Sequence, residues 1–190
     1  PDKRSQLGAH YTDRDKIMML VEPVVVRPWR DEWEKTRETI REATDRADKT
    51  KSKSHRTTLR RQAQDAYRAF LDRLRAFAVL DPACGSGNFL YLSLQALKDI
   101  EHRAGLDAET FGVERELPGV GPQQVKGVEL NPFAAELARV TIWIGEIQWM
   151  RRNGFDVSKR PILKPLDTIE CRDAILTPDR SEPEWPEADA

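Results

Sequence analysis

Ten residues, DPACGSGNFL from Asp81 to Leu90, constrain this chain more than any other stretch. The apolar run Ala78 to Asp81 predicts a short strand, the chain turns through Pro82 to Gly87, and the segment from Asn88 to Arg103 predicts a helix. That order sets Gly85 and Gly87 at the carboxyl end of a strand, where a ligand can approach the backbone closely and a helix N-terminus adds partial positive charge. Three places after Gly87 stands Leu90, not the third glycine of a dinucleotide fingerprint, and no Lys-Ser/Thr pair follows as a phosphate loop requires. The loop therefore favours neither a pyrophosphate nor a triphosphate and suits a nucleoside cofactor.

The rest of the α/β rhythm lies downstream. VKGVEL, Val125 to Leu130, predicts a second strand, Pro132 to Asn153 a long amphipathic helix closed by Gly154, and Thr168 to Cys171 a third strand followed by RDAIL. Strand and helix in alternation imply a parallel sheet, here of the doubly wound α/β class. Glu129 falls near the end of the second strand, where a carboxylate can accept hydrogen bonds from both hydroxyls of a ribose; capping the helix that begins near Pro132 is the plainer alternative. The path from loop to acid exceeds the roughly 20 residues of a dinucleotide unit, the excess being the loop from Gly105 to Gln124. An aspartate before a glycine loop, no demand for phosphate and an acid after strand two together suggest S-adenosylmethionine.

In a doubly wound sheet the first three strands run 3-2-1, which leaves one side of strand one open. An unpaired apolar edge invites association. The charged helices, the C-terminal tail or a second copy of the chain, forming a homodimer, should therefore cover it.

Upstream of the loop the texture changes. A short helix is expected from Asp13, capped by Thr12 or Asp13 and ending before Pro23, since a proline disfavours helix at the preceding residue. Asp31 to Phe77 is densely charged and fits two helices. Tyr67, Phe70, Leu71, Leu74 and Phe77 share one helical face, a pattern of core contacts rather than of base-stacking platforms. Between the helices, Lys49, Lys51, Lys53, Arg56, Arg60 and Arg61 follow one another with no intervening acid, as a solvated hairpin tip or as contacts to DNA phosphates. The whole chain carries a net charge of −1, so it lacks the bulk positive field of a stand-alone DNA clamp.

Cys84 and Cys171 are too few for a disulfide framework or a zinc site, and His10, His55 and His102 show no metal-ligand spacing, so no metal is expected. No apolar run approaches the roughly 20 residues that cross a bilayer, so no membrane partner is expected and a reducing cytoplasm is the simplest setting. Pro1 at the start and the acidic SEPEWPEADA at the end suggest a piece of a longer protein.

Taken together, DPACGSGNFL and GAHYT, Gly8 to Thr12, resemble the cofactor loop and the N-terminal motif of DNA adenine-N6 methyltransferases of the gamma arrangement found in restriction-modification systems. GVELNPFAAELARVTIWIGEIQWM and PILKPLDTIECRDAIL are similar to the large type IIG-like single-chain enzymes that join methyltransferase and target recognition, often with an endonuclease. The resemblance implies the first half of a class I methyltransferase, a Rossmann-like sheet with an inserted charged helical pair. Changes of texture along the chain divide it into an N-terminal segment (1–30), a helical hairpin (31–77), a partial α/β core (78–176) and an acidic tail (177–190), and the resemblance covers nearly all of it except the charged helical pair. The resemblance also implies that Tyr11 and Thr12 line the methionine end of S-adenosylmethionine, Thr12 at the carboxylate. Asp81, Ala83, Gly85 and Gly87 would form the cradle, Glu129 would bind the ribose, and Asp173 would meet the adenine amine beside Ala174. Double-stranded DNA is the implied partner of the parent protein. Asp13 stands where many members have Pro.

The catalytic tetrapeptide of such enzymes, Asn/Asp/Ser-Pro-Pro-aromatic, holds the target amine on a side-chain oxygen and a proline carbonyl and stacks its ring on the flipped base. Asn131-Pro132-Phe133 only mimics it: the second Pro is missing, and the triplet opens a helix directly after Glu129. No other match occurs, so no catalytic residue is assigned, the motif is expected beyond Ala190, and the chain alone is expected to be inactive. Methyltransferases of RNA adenine or protein amides use a similar tetrapeptide, and a non-catalytic helical module on a nucleotide fold is the remaining alternative.

Overall fold

The computed structural model describes residues 12–155 and 165–190. Tyr11 and the GAHY part of the N-terminal motif lie outside the described residues, as do residues 161–164. Three strands, β1 (Val79–Asp81), β2 (Val125–Glu129) and β3 (Ile169–Cys171), form one parallel sheet in the order β1-β2-β3. Val79 pairs with Val125 and Asp81 with Gly127, while Gly127 pairs with Ile169 and Glu129 with Cys171. All three carboxyl ends thus open on the same side, where ligands bind in open α/β sheets.

Among the described residues five helices accompany the sheet: α1 (Arg14–Val21), α2 (Arg27–Lys49), α3 (Lys53–Ala76), α4 (Asn88–Thr110) and α5 (Pro132–Arg152). Asp13 caps α1, its carboxylate accepting the Asp15 N–H at 2.9 Å. The α-helix ends before Pro23, as expected, but the chain does not leave its helical path there. Instead Glu22–Val26 forms a π turn in which the Arg27 N–H donates to the Glu22 carbonyl, and α2 continues from it. A wider turn can hold a proline ring because it does not require the i−4 hydrogen bond that proline cannot make. The expected boundary at residues 30/31 accordingly falls within α2.

The charged stretch folds as the two expected helices. Trp33, Ile40 and Ala47 of α2 meet Leu59, Tyr67, Phe70 and Leu74 of α3, and all of these are buried. The rings of Trp29 and Trp33 lie 5.8 and 5.0 Å from that of Phe70, centre to centre, so truncating Phe70 to Ala should cost about 3–5 kcal/mol. The aromatic face on α3 is core, as its spacing predicts. Gln64, Arg68 and Arg75 on the other side of α3 hold the α4–β2 connection: Arg75 pairs with Glu101 at 2.8 Å and with Glu116 at 2.9 Å, and Glu101 also accepts the Gly119 and Val120 N–H groups. The helical pair is thereby fastened to the sheet's own connections.

Helix α4 runs past Gly105 to Thr110, farther than expected. The residue that ends it is Gly112 at φ 71°, just beyond the cap, with the Val113 N–H returning to the Ala108 carbonyl. Leu90, Leu94, Leu97 and Ala104 of α4 and Ala135, Ala138 and Ile142 of α5 build the core on one face of the sheet. The fully buried Lys98 ties these layers together, donating to Glu146 and to the Val120 carbonyl, each at 2.9 Å.

The C-terminal segment covers the other face and the open edge. Gly127 faces Leu90 of α4, so the neighbouring Lys126 points to the opposite side, where its ammonium donates to the Glu187 carbonyl at 2.6 Å. The Leu80 N–H donates to the Ala190 carbonyl at 2.7 Å and the Ala190 N–H to the Ala78 carbonyl at 3.3 Å, one rung of a parallel ladder. Of the three covers expected for this edge, the tail is the one observed. Because it already fills the open side of β1, the homodimer expected from an exposed edge loses its structural reason.

Candidate functional site

Three sequence-distant segments meet at the carboxyl ends of the strands. Asp81 ends β1, and its carboxylate accepts the Ala83 N–H at 3.0 Å, which starts the turn. Gly85 (φ 53°) and Gly87 (φ 82°) both occupy the left-handed region that favours glycine. Gly87 also serves packing: a Cβ there would come within 3.0 Å of the Ala138 backbone of α5. Gly85, the other glycine of the loop, borders the cavity described below. The Gly87 carbonyl accepts the Tyr91 N–H at 2.8 Å and so begins α4.

Glu129 joins the loop to the second strand. One of its oxygens accepts the Gly85 N–H and the other the Asn131 N–H, both at 2.8 Å. A carboxylate has about four acceptor sites, so two remain for hydroxyl donors. Capping α5 falls to Asn131, whose side chain accepts the Phe133 N–H at 2.9 Å and the Ala134 N–H at 3.4 Å, with Pro132 at the first helical position. The Asn-Pro-Phe triplet is a helix start, as its context predicts.

Burial, with the nearby Glu129 charge adding to it, holds Asp81 above the ordinary carboxylate range against the lowering effect of the Ala83 N–H. The same burial pushes the Cys84 thiol up to about 12, with Asp81 and Glu129 contributing. Cys84 is therefore a filler under the loop and not a nucleophile. Asp173 follows β3 and accepts the Ile175 and Leu176 N–H groups at 2.8 and 3.1 Å, which lower its pKa. It starts the turn that a post-strand aspartate is expected to start, and it also stands at a cavity wall with Ala174.

A cavity of about 520 Å³ lies over the glycine loop, bounded by Asp81, Ala83, Gly85 and Glu129 below and by Leu20 and Val24 above. Pro82, Ala83 and Glu129 also border a second cavity of about 370 Å³ that reaches Leu130, Asp173 and Ala174. Thr12 and Asn88 also border a separate polar recess with Arg14 and Arg152. The structure thus brings Thr12, Asp81, Ala83, Gly85 and Glu129 around the first cavity and Ala83, Glu129, Asp173 and Ala174 around the second, and the first is of a size that takes a nucleoside-sized molecule. Lys49, Lys51, Lys53, Arg56, Arg60 and Arg61 are all exposed at the tip of the helical hairpin and line neither of these two cavities. Sequence reasoning missed Leu20 and Val24, which no spacing signal distinguishes from core residues, and Gly127, whose missing side chain makes room for Cys84 and Leu90.

The sequence model of a known family, the DNA-methyltransferase domain of MmeI, matches residues 53–182. DNA methyltransferase A of Bacillus subtilis is 31% identical over 180 residues, covering 92% of this chain and 18% of its own length. A putative type II restriction enzyme and methyltransferase of Methanocaldococcus jannaschii is 37% identical over 82 residues, covering 43% of this chain and 7% of its own. The structure is similar to that of the type IIL restriction-modification enzyme MmeI solved in complex with DNA, with a TM-score of 0.66 and 24% identity over 91% of this chain and 21% of that one. That last likeness is one of fold. The chain spans about a fifth or less of the length of each of these relatives.

Proposed function

Since the chain belongs to the family of the MmeI DNA-methyltransferase domain, we propose that it is the S-adenosylmethionine-binding part of a restriction-modification methyltransferase that modifies adenine N6 in DNA. The observation that carries this reading is the joint between Glu129 and the Gly85 N–H, which sets a carboxylate with spare acceptor capacity where it borders both cavities. Glu129 would take the ribose hydroxyls, Asp173 and Ala174 the adenine edge, and Thr12, with Tyr11 before it, the methionine end. Asp81 and Ala83 would hold the turn in shape. The bound cofactor would supply an electrophilic methyl on a sulfonium.

Around that group the chain's residues orient and desolvate. Leu20 and Val24 line the first cavity together with Val79 and Leu80 of β1 and would give a bound cofactor an apolar wall. The sequence holds no Asn/Asp/Ser-Pro-Pro-aromatic tetrapeptide, so cofactor binding, and not transfer, is the activity assigned to these 190 residues. Double-stranded DNA is the proposed partner of the whole protein, and the cytoplasm its proposed setting. No described helix is long and apolar enough to cross a membrane.

Calorimetric titration with S-adenosylmethionine tests the reading. The protein should bind, and Glu129→Ala should bind at least tenfold more weakly while keeping its circular dichroism. Equal affinity in the two would overturn the assignment. The six cations at the hairpin tip are proposed DNA-phosphate contacts, and replacing them with Gln should flatten the slope of log affinity against log salt by about one for each phosphate no longer neutralised. An unchanged slope would make the tip a solvated face.

A further inference from the structure

We propose that Trp185 is the aromatic wall of the second cavity and stacks on a purine held there. The inference rests on the cofactor reading above and adds to it a residue from the tail. Leu130, Ile175 and Trp185 border this cavity and are 66%, 73% and 53% exposed. Three large apolar side chains, brought from separate parts of the chain, therefore leave much of their surface in water around one space of about 370 Å³. A flat heteroaromatic ring would take that surface out of water without requiring hydrogen bonds from its faces.

Trp185 is fixed, although it is exposed. Its indole N–H donates to the Ala174 carbonyl at 2.7 Å, and the carbonyl of the preceding Glu184 accepts from the Arg172 guanidinium at 2.8 Å. Farther along, Glu187 is held by Lys126 and Ala190 by β1, so the ring sits on a segment anchored on both sides. An indole presented in one orientation gives up little freedom on stacking. At the cavity rim Asp173 uses two acceptor positions on the Ile175 and Leu176 N–H groups, which leaves capacity for an exocyclic amine. Glu129 borders both cavities, so a nucleoside with its sugar at Glu129 directs its base toward Trp185.

The test compares the protein with Trp185→Phe and Trp185→Ala, titrated with S-adenosylhomocysteine by calorimetry and by tryptophan emission. The purine should quench emission in the parent. Trp185→Phe should bind within about threefold of the parent with that quenching lost, and Trp185→Ala should bind about tenfold more weakly, in the range of base–aromatic stacking. Quenching that persists in Trp185→Phe, or Trp185→Ala binding within twofold of the parent, would overturn the role of Trp185 while leaving the cofactor site intact. No binding by the parent would overturn the cofactor reading and this inference together. A tryptophan that only braces the tail would lower thermal stability on removal without carrying the quenching signal.

Discussion

Gly127→Ala should damage the site from beneath by a mechanism visible in three distances. Gly127 is the middle residue of β2, buried, and a Cβ built there meets Cys84 Sγ and Leu90 Cδ1 at 2.8 Å and Ile169 Cδ1 at 3.0 Å. Cys84, Leu90 and Ile169 are themselves 6%, 0% and 1% exposed, so none can swing into solvent to make room. Overpacking of this kind costs about 1–3 kcal/mol. For a chain of this length that is a fall in Tm of roughly 2–12 °C. Urea unfolding followed by circular dichroism reads the loss directly. Adding Cys84→Ala removes one of the two closest neighbours, so the double variant should be more stable than the sum of the single losses, with a coupling of about 0.5 kcal/mol or more. Stability of Gly127→Ala within about 0.5 kcal/mol of the parent, or strict additivity with Cys84→Ala, would refute the packing argument.

Further outcomes follow from the site's electrostatics and caps. Asp81 holds its proton more tightly when folded, so the native state binds more protons than the unfolded one between the unfolded and folded pKa values, and stability falls as pH rises through that window. Asp81→Asn, which keeps an acceptor for the Ala83 N–H, should abolish that fall and match or exceed the parent's stability at pH 7 while weakening cofactor binding, measured by urea unfolding across pH 3–7 and by calorimetry. Cys171 is exposed and Cys84 buried with its pKa near 12, so Ellman's reagent should titrate one thiol in the native protein and two in urea. Asn131→Ala removes the cap of α5 and should lower stability by about 1 kcal/mol, or roughly 2–4 °C in Tm.

Much of this organisation is legible in the sequence because it depends on short-range signals. A β1 ending in aspartate, two glycines and an apolar helical face specify the loop and α4, and the parallel sheet with its 3-2-1 order follows from the strand–helix rhythm. The aromatic spacing on α3 marks its core face for the same reason. Pro23 and Gly105 mislead about how far the helical path runs, since each is a breaker locally. The π turn absorbs the first, and the second lies inside a helix where a Cβ would come 3.0 Å from the side chain of Arg115. The packing demand on Gly87 is not legible locally either, because the close neighbour that excludes a side chain there is α5, which arrives 45 or more residues later in the chain. Leu20, Val24 and Trp185 could not have been assigned to the two cavities from spacing, because tertiary folding alone brings α1, the π turn and the tail to the strand ends.

The most direct test of the central claim is a heteronuclear NMR titration of the 15N-labelled protein with S-adenosylmethionine. Saturable shifts of the backbone amides of Ala83, Gly85, Glu129 and Ala174 and of the Trp185 indole are the predicted result, with the hairpin tip around Lys51 unmoved. Shifts confined to other surfaces, such as the groove between Arg30 and Asp99, or no shifts at millimolar cofactor, would contradict it.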